Sequence, residues 1–193
     1  MSEKANELSQ SQKILNAAYK CISTKGYANV SLRDIADEAG VVLSQLNYYY
    51  KNKEGLFLEI VKTLAQKYLT ETEEYLKKSR PEKEQMAGLI KYFQEILTKN
   101  PELFKLLFDL TSMSLWSASL KELLNDLFKR LADLINKYIV SDFSHRENLK
   151  NYSPAAVARI VLGTLFGTSI QVILADEKVD MLDSLAALNV LFE

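Results

Sequence analysis

The sequence predicts an all-α protein, and three observations carry that prediction. Apolar residues recur at helical spacing along almost the whole chain, and no segment alternates polar and apolar residues as a half-buried strand would. Only six glycines and three prolines interrupt the 193 residues. The expected architecture is three short helices followed by a larger bundle of longer ones, about nine in all.

Each element has a local reason. The first helix is expected from about Ser9 to Thr24, burying Ile14, Ala17, Ala18, Cys21 and Ile22 and stopping before Gly26. Ser31 is placed to cap a second helix, with Asp34 three residues on completing a capping box. That helix would bury Leu32, Ile35, Ala36 and Ala39 and leave through Gly40, which can adopt the left-handed conformation of a tight exit. A third short helix comes next, from about Leu43 to Tyr50. The fourth begins near Lys53 and runs to about Lys78, with no proline or glycine after Leu56. Pro81 and Pro101 punctuate the C-terminal part, as proline does at helix starts. The remaining helices are expected over 82–99, 101–113, 119–139, 154–175 and 180–192, and the longest polar connection is 141–153.

Composition narrows the class. A 48% hydrophobic content supports a sizeable core. A single cysteine, Cys21, rules out an intramolecular disulfide and suggests a reducing compartment. The polar N-terminus MSEKANELSQ lacks the apolar run of a signal peptide. The longest uncharged stretch, Ile160 to Ala175, is short for a membrane span and holds Thr164, Thr168, Ser169 and Gln171. A soluble, cytoplasmic chain is therefore expected. Residues 1 to 53 carry seven basic and five acidic side chains, leaving 17 basic against 20 acidic in the rest. The sign suits phosphate contact by the N-terminal part.

Helices two and three, joined by Gly40-Val41-Val42, form a helix-turn-helix pattern. Rotating the third helix at about 100° per residue places Leu43, Leu46 and Tyr50 on one face, the core side. Ser44, Gln45, Tyr48 and Tyr49 fall opposite, with Asn47 at the border. Of the three consecutive tyrosines, Tyr50 is thus assigned to the core, and Tyr48 and Tyr49 point outward. Glutamine can pair with an adenine edge, and a tyrosine can touch thymine methyls or a phosphate. The competing reading packs the tyrosines against the fourth helix.

The stretch KILNAAYKCISTKGYANVSLRDIADEAGVVLSQLNYYYKNKEGLF resembles the DNA-binding domain of the TetR family of bacterial transcriptional regulators. An amphipathic helix ends in the Gly26-Tyr27 pair, the IA..AGV core comes after it, and a short aromatic helix and a K.KE.L segment close the pattern. The resemblance implies a helix-turn-helix domain over 1–52 and an effector-binding and dimerisation domain over 53–193. It further implies a homodimer that binds double-stranded, palindromic operator DNA, probing successive major grooves. Carried over residue by residue, the DNA contacts fall on Arg33, Ser44, Gln45, Tyr48, Tyr49 and Lys53, with Ser31 and Lys51 beside them. Asn47 stands where many members have tyrosine, and it could read a base or hold a phosphate.

Enzyme chemistry finds little support. His145 is the only histidine and lies in the polar connection, so no histidine triad or histidine metal cluster can form. No glycine-rich phosphate loop occurs, and neither metal nor cofactor is expected. The C-terminal part is rich in large apolar side chains: Met86, Leu89, Tyr92, Phe93, Phe104, Phe108, Met113, Trp116, Phe128 and Phe166. They could simply fill a core. By analogy with the family they would enclose a small apolar or aromatic effector, with Tyr92, Gln94, Ser112, Ser114 and Gln171 as polar candidates and Asp109 as the one buried-looking acid. Gly163 and Gly167 share a face with Ile160, Ile170 and Leu174, which is assigned, with Leu185 of the last helix, to the dimer interface. The chain is expected to be a ligand-responsive regulator, most simply a repressor. A helical small-molecule carrier or adaptor without DNA binding is the alternative.

Overall fold

A computed structural model describes residues 2–78, 82–141, 150–175 and 179–192. Within them the chain is helical: α1 Ser2–Lys25, α2 Leu32–Ala39, α3 Leu43–Tyr49, α4 Lys53–Leu76, α5 Glu82–Lys99, α6 Pro101–Ser114, α7 Ala118–Ile135, α8 Pro154–Leu174 and α9 Val179–Ser184. A 3-10 turn, Tyr27–Asn29, precedes α2, and a longer one, Leu185–Phe192, comes after α9. No strand occurs among the described residues. His145 lies outside them.

The caps predicted for α2 form, and other helices carry caps of their own. Ser31 Oγ accepts from the Asp34 amide while the Asp34 carboxylate accepts from the Ser31 amide at 2.7 Å, closing the capping box. Gly40 sits at φ 66°, and its amide returns to the Ala36 and Asp37 carbonyls. Asn52 caps α4 through the Gly55 amide, and Ser117 and Ser153 cap α7 and α8. The end of α7 departs from expectation: Asn136–Val140 widen into a π turn rather than continuing the α-helix. Such a turn re-aims the side chains beyond it, and here Ile139 and Val140 enter the core.

Two large clusters and one small one make up the described core. The first joins α1, α2 and α3 to the start of α4 (Leu56, Phe57, Ile60, Val61), to α6 (Leu106, Leu110) and to α7 (Leu120, Leu124). The second lies among α5, the end of α7, α8 and the final turn. The third holds Leu97, Phe104 and Val172. α4 and α6 thus connect the first three helices to the bundle.

The burial of α8 is uneven. The helix is long and apolar enough to cross a membrane by length and composition. Val157, Ala158, Val161, Leu165, Ser169 and Val172 are buried, whereas Ile160 is 59% and Leu174 79% exposed. One apolar face is therefore left uncovered within a single chain.

Candidate nucleic-acid interface and effector cavity

α3 projects from the first cluster on a single buried anchor, Leu46, supported by Leu43 and Tyr50. Tyr50 is buried, and its hydroxyl meets Ser11 Oγ at 2.9 Å, the partner that a buried phenol requires. Ser44 and Asn47 are exposed and Tyr48 is 76% exposed. Tyr49 is half-buried, its ring edge-on to that of Tyr48 at 5.2 Å. The Gln45 amide, expected to point freely outward, instead donates to Gln10 Oε1 of α1 and is half-buried. Arg33 and Lys51 are exposed beside this face.

Two basic-or-polar positions are engaged elsewhere. The Ser31 hydroxyl serves the capping box, donating to Asp34 at 2.5 Å, so its side chain is already committed. Lys53 turns inward: its ammonium donates to the Tyr27 carbonyl and lies 4.1 Å from the Tyr27 ring centre. Burial pushes the Lys53 pKa down, and the carboxylates of Asp109 and Asp34 oppose that shift. The sequence carried no sign of this second role, because it depends on where Tyr27 packs after the glycine turn.

The same turn is held from the bundle. Asp109 Oδ2 accepts from the Tyr27 amide at 2.7 Å, and Tyr27 also packs on Phe57 with ring centres 4.9 Å apart. Glu54 accepts from Ser117 at 2.6 Å, tying the start of α4 to the α6–α7 connection. Asp109 is thus a junction residue and not, as expected, a polar group of the cavity. A φ of 81° at Gly26 lets the chain reverse immediately before this contact.

Behind the junction, α4 to α8 enclose a cavity of about 160 Å³. Leu89, Tyr92, Phe93, Phe104, Phe128 and Phe166 line it, as do Leu106, Leu107 and Leu110 of α6. Several candidate residues stand elsewhere. Trp116 is 89% exposed because the chain turns at the end of α6, its amide bonded to the Met113 carbonyl. Met113 packs against the first cluster and Met86 belongs to the second. Phe108 backs Phe166, with ring centres 5.5 Å apart, without reaching the cavity surface. Gln171 is exposed and bonds the Gly167 carbonyl of its own helix. Gln94 donates to the Leu182 carbonyl at 2.7 Å, Ser114 donates to the Thr111 carbonyl, and Ser112 is exposed.

Sequence reasoning missed the wall supplied by α4: Val61, Leu64, Ala65, Tyr68, Leu69 and Thr72. Their helical spacing was a usable signal, but it is the same signal any core-facing helix gives. The polar groups of the wall are the hydroxyls of Tyr68, Thr72 and Tyr92. Burial raises the Tyr92 pKa while the neighbouring Thr72 hydroxyl counters it, and the Tyr92 oxygen makes no well-formed hydrogen bond. Burial also raises the pKa of Tyr68.

At the proposed dimer face, Ile160, Ile170 and Leu174 are exposed, and a Cβ at Gly163 or Gly167 would meet nothing within 4 Å. Leu185 differs: it is 1% exposed and sits in the second cluster, so within one chain it serves the core. Met181 and Leu191 have no described side chains.

Comparison with known proteins adds a shared pattern and a shared fold. Residues 14–60 match the family described as bacterial regulatory proteins, tetR family. The chain is 22% identical over 170 residues to the Fatty acid metabolism regulator protein of Bacillus subtilis (strain 168), covering 87% of this chain and 86% of that one. Among solved structures, a TetR transcription regulator from Haloarcula marismortui ATCC 43049 superposes with a TM-score of 0.79 at 17% identity, covering 94% of this chain and 95% of that one. The regulator FadR from Bacillus subtilis, solved in complex with stearoyl-CoA, gives a TM-score of 0.74 at 21% identity, covering 93% and 96%.

Proposed function

We propose that this chain, whose residues 14–60 match the tetR family, is a homodimeric repressor of that type, released from a palindromic operator by an apolar effector. It is a ligand-responsive, DNA-binding transcriptional regulator. Its relatives are regulators rather than enzymes, and we read this chain as non-catalytic and cytoplasmic. Residues 1–52 read the operator, and residues 53–193 sense the effector and hold the dimer together.

The observation that carries this reading is the double role of α6. Leu106, Leu107 and Leu110 wall the cavity, while Asp109, which does not line it, holds the Tyr27 amide of the reading unit. Cavities of about 150 Å³ lined by aliphatic and aromatic side chains accept a benzene-sized guest. A longer chain must therefore displace part of the wall, and a displaced α6 carries Asp109 with it. The acyl chain named in the complex of the Bacillus subtilis relative supports a guest of this kind. Such a guest shifts the equilibrium only by its differential affinity for the two arrangements.

Ser44, Asn47, Tyr48 and Tyr49 are proposed for the major groove, with Gln45 released from Gln10 to join them, and Arg33 and Lys51 for the backbone. Lys53 is proposed to reach DNA only by leaving Tyr27. The exposed face of Ile160, Gly163, Gly167, Ile170 and Leu174 is proposed to meet the same face of a second chain. Gel-shift titration of the chain against fragments flanking its own gene, with and without lauroyl-CoA, tests the function. A specific complex that lauroyl-CoA dissolves is expected; no specific complex with any fragment would favour the carrier reading.

A further inference from the structure

Two adjacent residues of α1 reach α3 near its opposite ends. Ser11 Oγ meets the Tyr50 hydroxyl at 2.9 Å, just past the last turn of α3. Near the start of the same helix, Gln45 Nε2 donates to Gln10 Oε1. Gln12 takes no part: about 100° of helix separates successive residues, and its amide donates to Asn16 of its own helix at 3.0 Å. The two contacts differ in kind. Tyr50 is buried, so its hydroxyl cannot trade Ser11 for bulk water. Gln10 and Gln45 are half-buried and uncharged, and Gln45 stands next to exposed Ser44 and three residues before exposed Tyr48. Opening this pair exchanges one hydrogen bond for others to solvent, at a small net cost. Ser11 and Tyr50 can therefore hold α3 in place while the Gln10–Gln45 pair opens.

We propose that Gln10 is a specificity-determining residue that competes with the operator for the Gln45 amide, so that Gln45 reads only where a base pair returns more than the one hydrogen bond given up. The proposal rests on the reading of α3 as the operator helix. A glutamine amide carries an acceptor oxygen and two N–H donors. In the major groove an adenine edge answers both, with N7 as acceptor and the N6 amino group as donor. Such a base gives two bonds for the one to Gln10. A guanine edge offers acceptors alone; it only exchanges one bond for another, and there Gln45 stays with Gln10. Gln10 is thus the fallback partner at a mismatched pair. It makes the mismatch less costly and the matched pair less tightly bound than Gln45 alone would dictate. Neither glutamine is charged, so the competition adds no salt dependence of its own.

The test uses the full chain and the shortest fragment flanking its own gene that forms a specific complex, with single base-pair replacements across it, read by fluorescence anisotropy. The replacement that loses its effect in Gln45→Ala marks the pair that Gln45 reads. Gln10→Met keeps the length of the side chain and removes the amide acceptor. It is expected to tighten binding of the parent fragment about 2- to 10-fold, the worth of one net hydrogen bond, and to change nothing where the marked pair is replaced. In a Gln45→Ala background, Gln10→Met should have no effect, and the salt slope should match wild type in every variant. A merely loosened α3 would weaken binding, so the direction of the change separates competition from support. Gln10→Met binding the parent fragment as wild type does, or more weakly, overturns the proposal. A Gln45→Ala profile equal to wild type at every pair also overturns it, and leaves the operator reading standing. No specific complex with any fragment overturns the operator reading, and this proposal with it.

Discussion

Replacing Asp109 by alanine should separate sensing from reading. The Tyr27 amide would lose a charged acceptor at 2.7 Å, an interaction of about 1.5–3 kcal/mol when partly shielded from water. With about 2 kcal/mol as the working figure, a chain of this length should melt about 4–8 °C lower. The carboxylate also favours the charged form of Lys53, so its loss weakens the hold of that ammonium on Tyr27 as well. Asp109 does not line the cavity, so lauroyl-CoA should bind Asp109→Ala as it binds wild type. What should diminish is the difference that lauroyl-CoA makes to operator affinity. Coupling of about 1–3 kcal/mol, or about 5- to 150-fold, is usual for such systems, and most of it should vanish. Fluorescence anisotropy of labelled operator, titrated with protein at zero and saturating lauroyl-CoA, measures it directly. An Asp109→Ala protein with wild-type melting and a full effector response would refute the reasoning.

Three further outcomes are expected. Tyr48→Ala, at an exposed position, should weaken operator binding by about 1–3 kcal/mol with native circular dichroism; unchanged anisotropy titrations would remove this face from the groove. Gly167→Leu should crowd the proposed dimer face and move the sedimentation profile towards monomer, and a stable dimer of that variant would contradict the interface. The Asp34 carboxyl is held below its ordinary pKa by the Ser31 hydroxyl and amide. Stability from this group is therefore fully present above about pH 3.9, the ordinary aspartate value, and is lost as pH falls through the lower folded pKa. Asp34→Asn should accordingly melt below wild type at neutral pH, the gap closing in strong acid; a gap that persists there would mean that the cap acts without its charge.

Helices were legible because their signals are local. The Ser31–Asp34 box and the glycine exit at Gly40 each act within four residues, and the structure places each end of α2 at its signal. Locations that depend on a distant partner were harder to read. Leu185 carries the same apolar side chain whether it meets its own α5 or another chain, and only the fold shows it buried in the second cluster. Trp116 lies among the large apolar residues in sequence, yet one turn of backbone after α6 puts it in water. Lys53 and Asp109 converge on Tyr27 from positions 26 and 82 residues away, a meeting that periodicity cannot foretell. The wall from α4 was visible as an apolar stripe, but the stripe does not say whether it faces packed side chains or a cavity.

The first core cluster bears on how such proteins can be recombined. Ile14, Ile35 and Leu46 share it with Phe57 and Ile60 of α4 and with Leu110 and Leu120 of the bundle. A graft that exchanged only residues 1–52 would set a foreign surface against Phe57, Tyr27's ring partner, and against Asp109. Transplanting a new operator preference should therefore require carrying the first two turns of α4 along, and matching position 109 to the incoming turn. Exchanging the outward positions of α3 alone, with Leu46 and Tyr50 kept, would leave that shared seam untouched. Retargeting by surface substitution is thus the gentler route, and swapping whole heads asks for co-design of both sides of the seam.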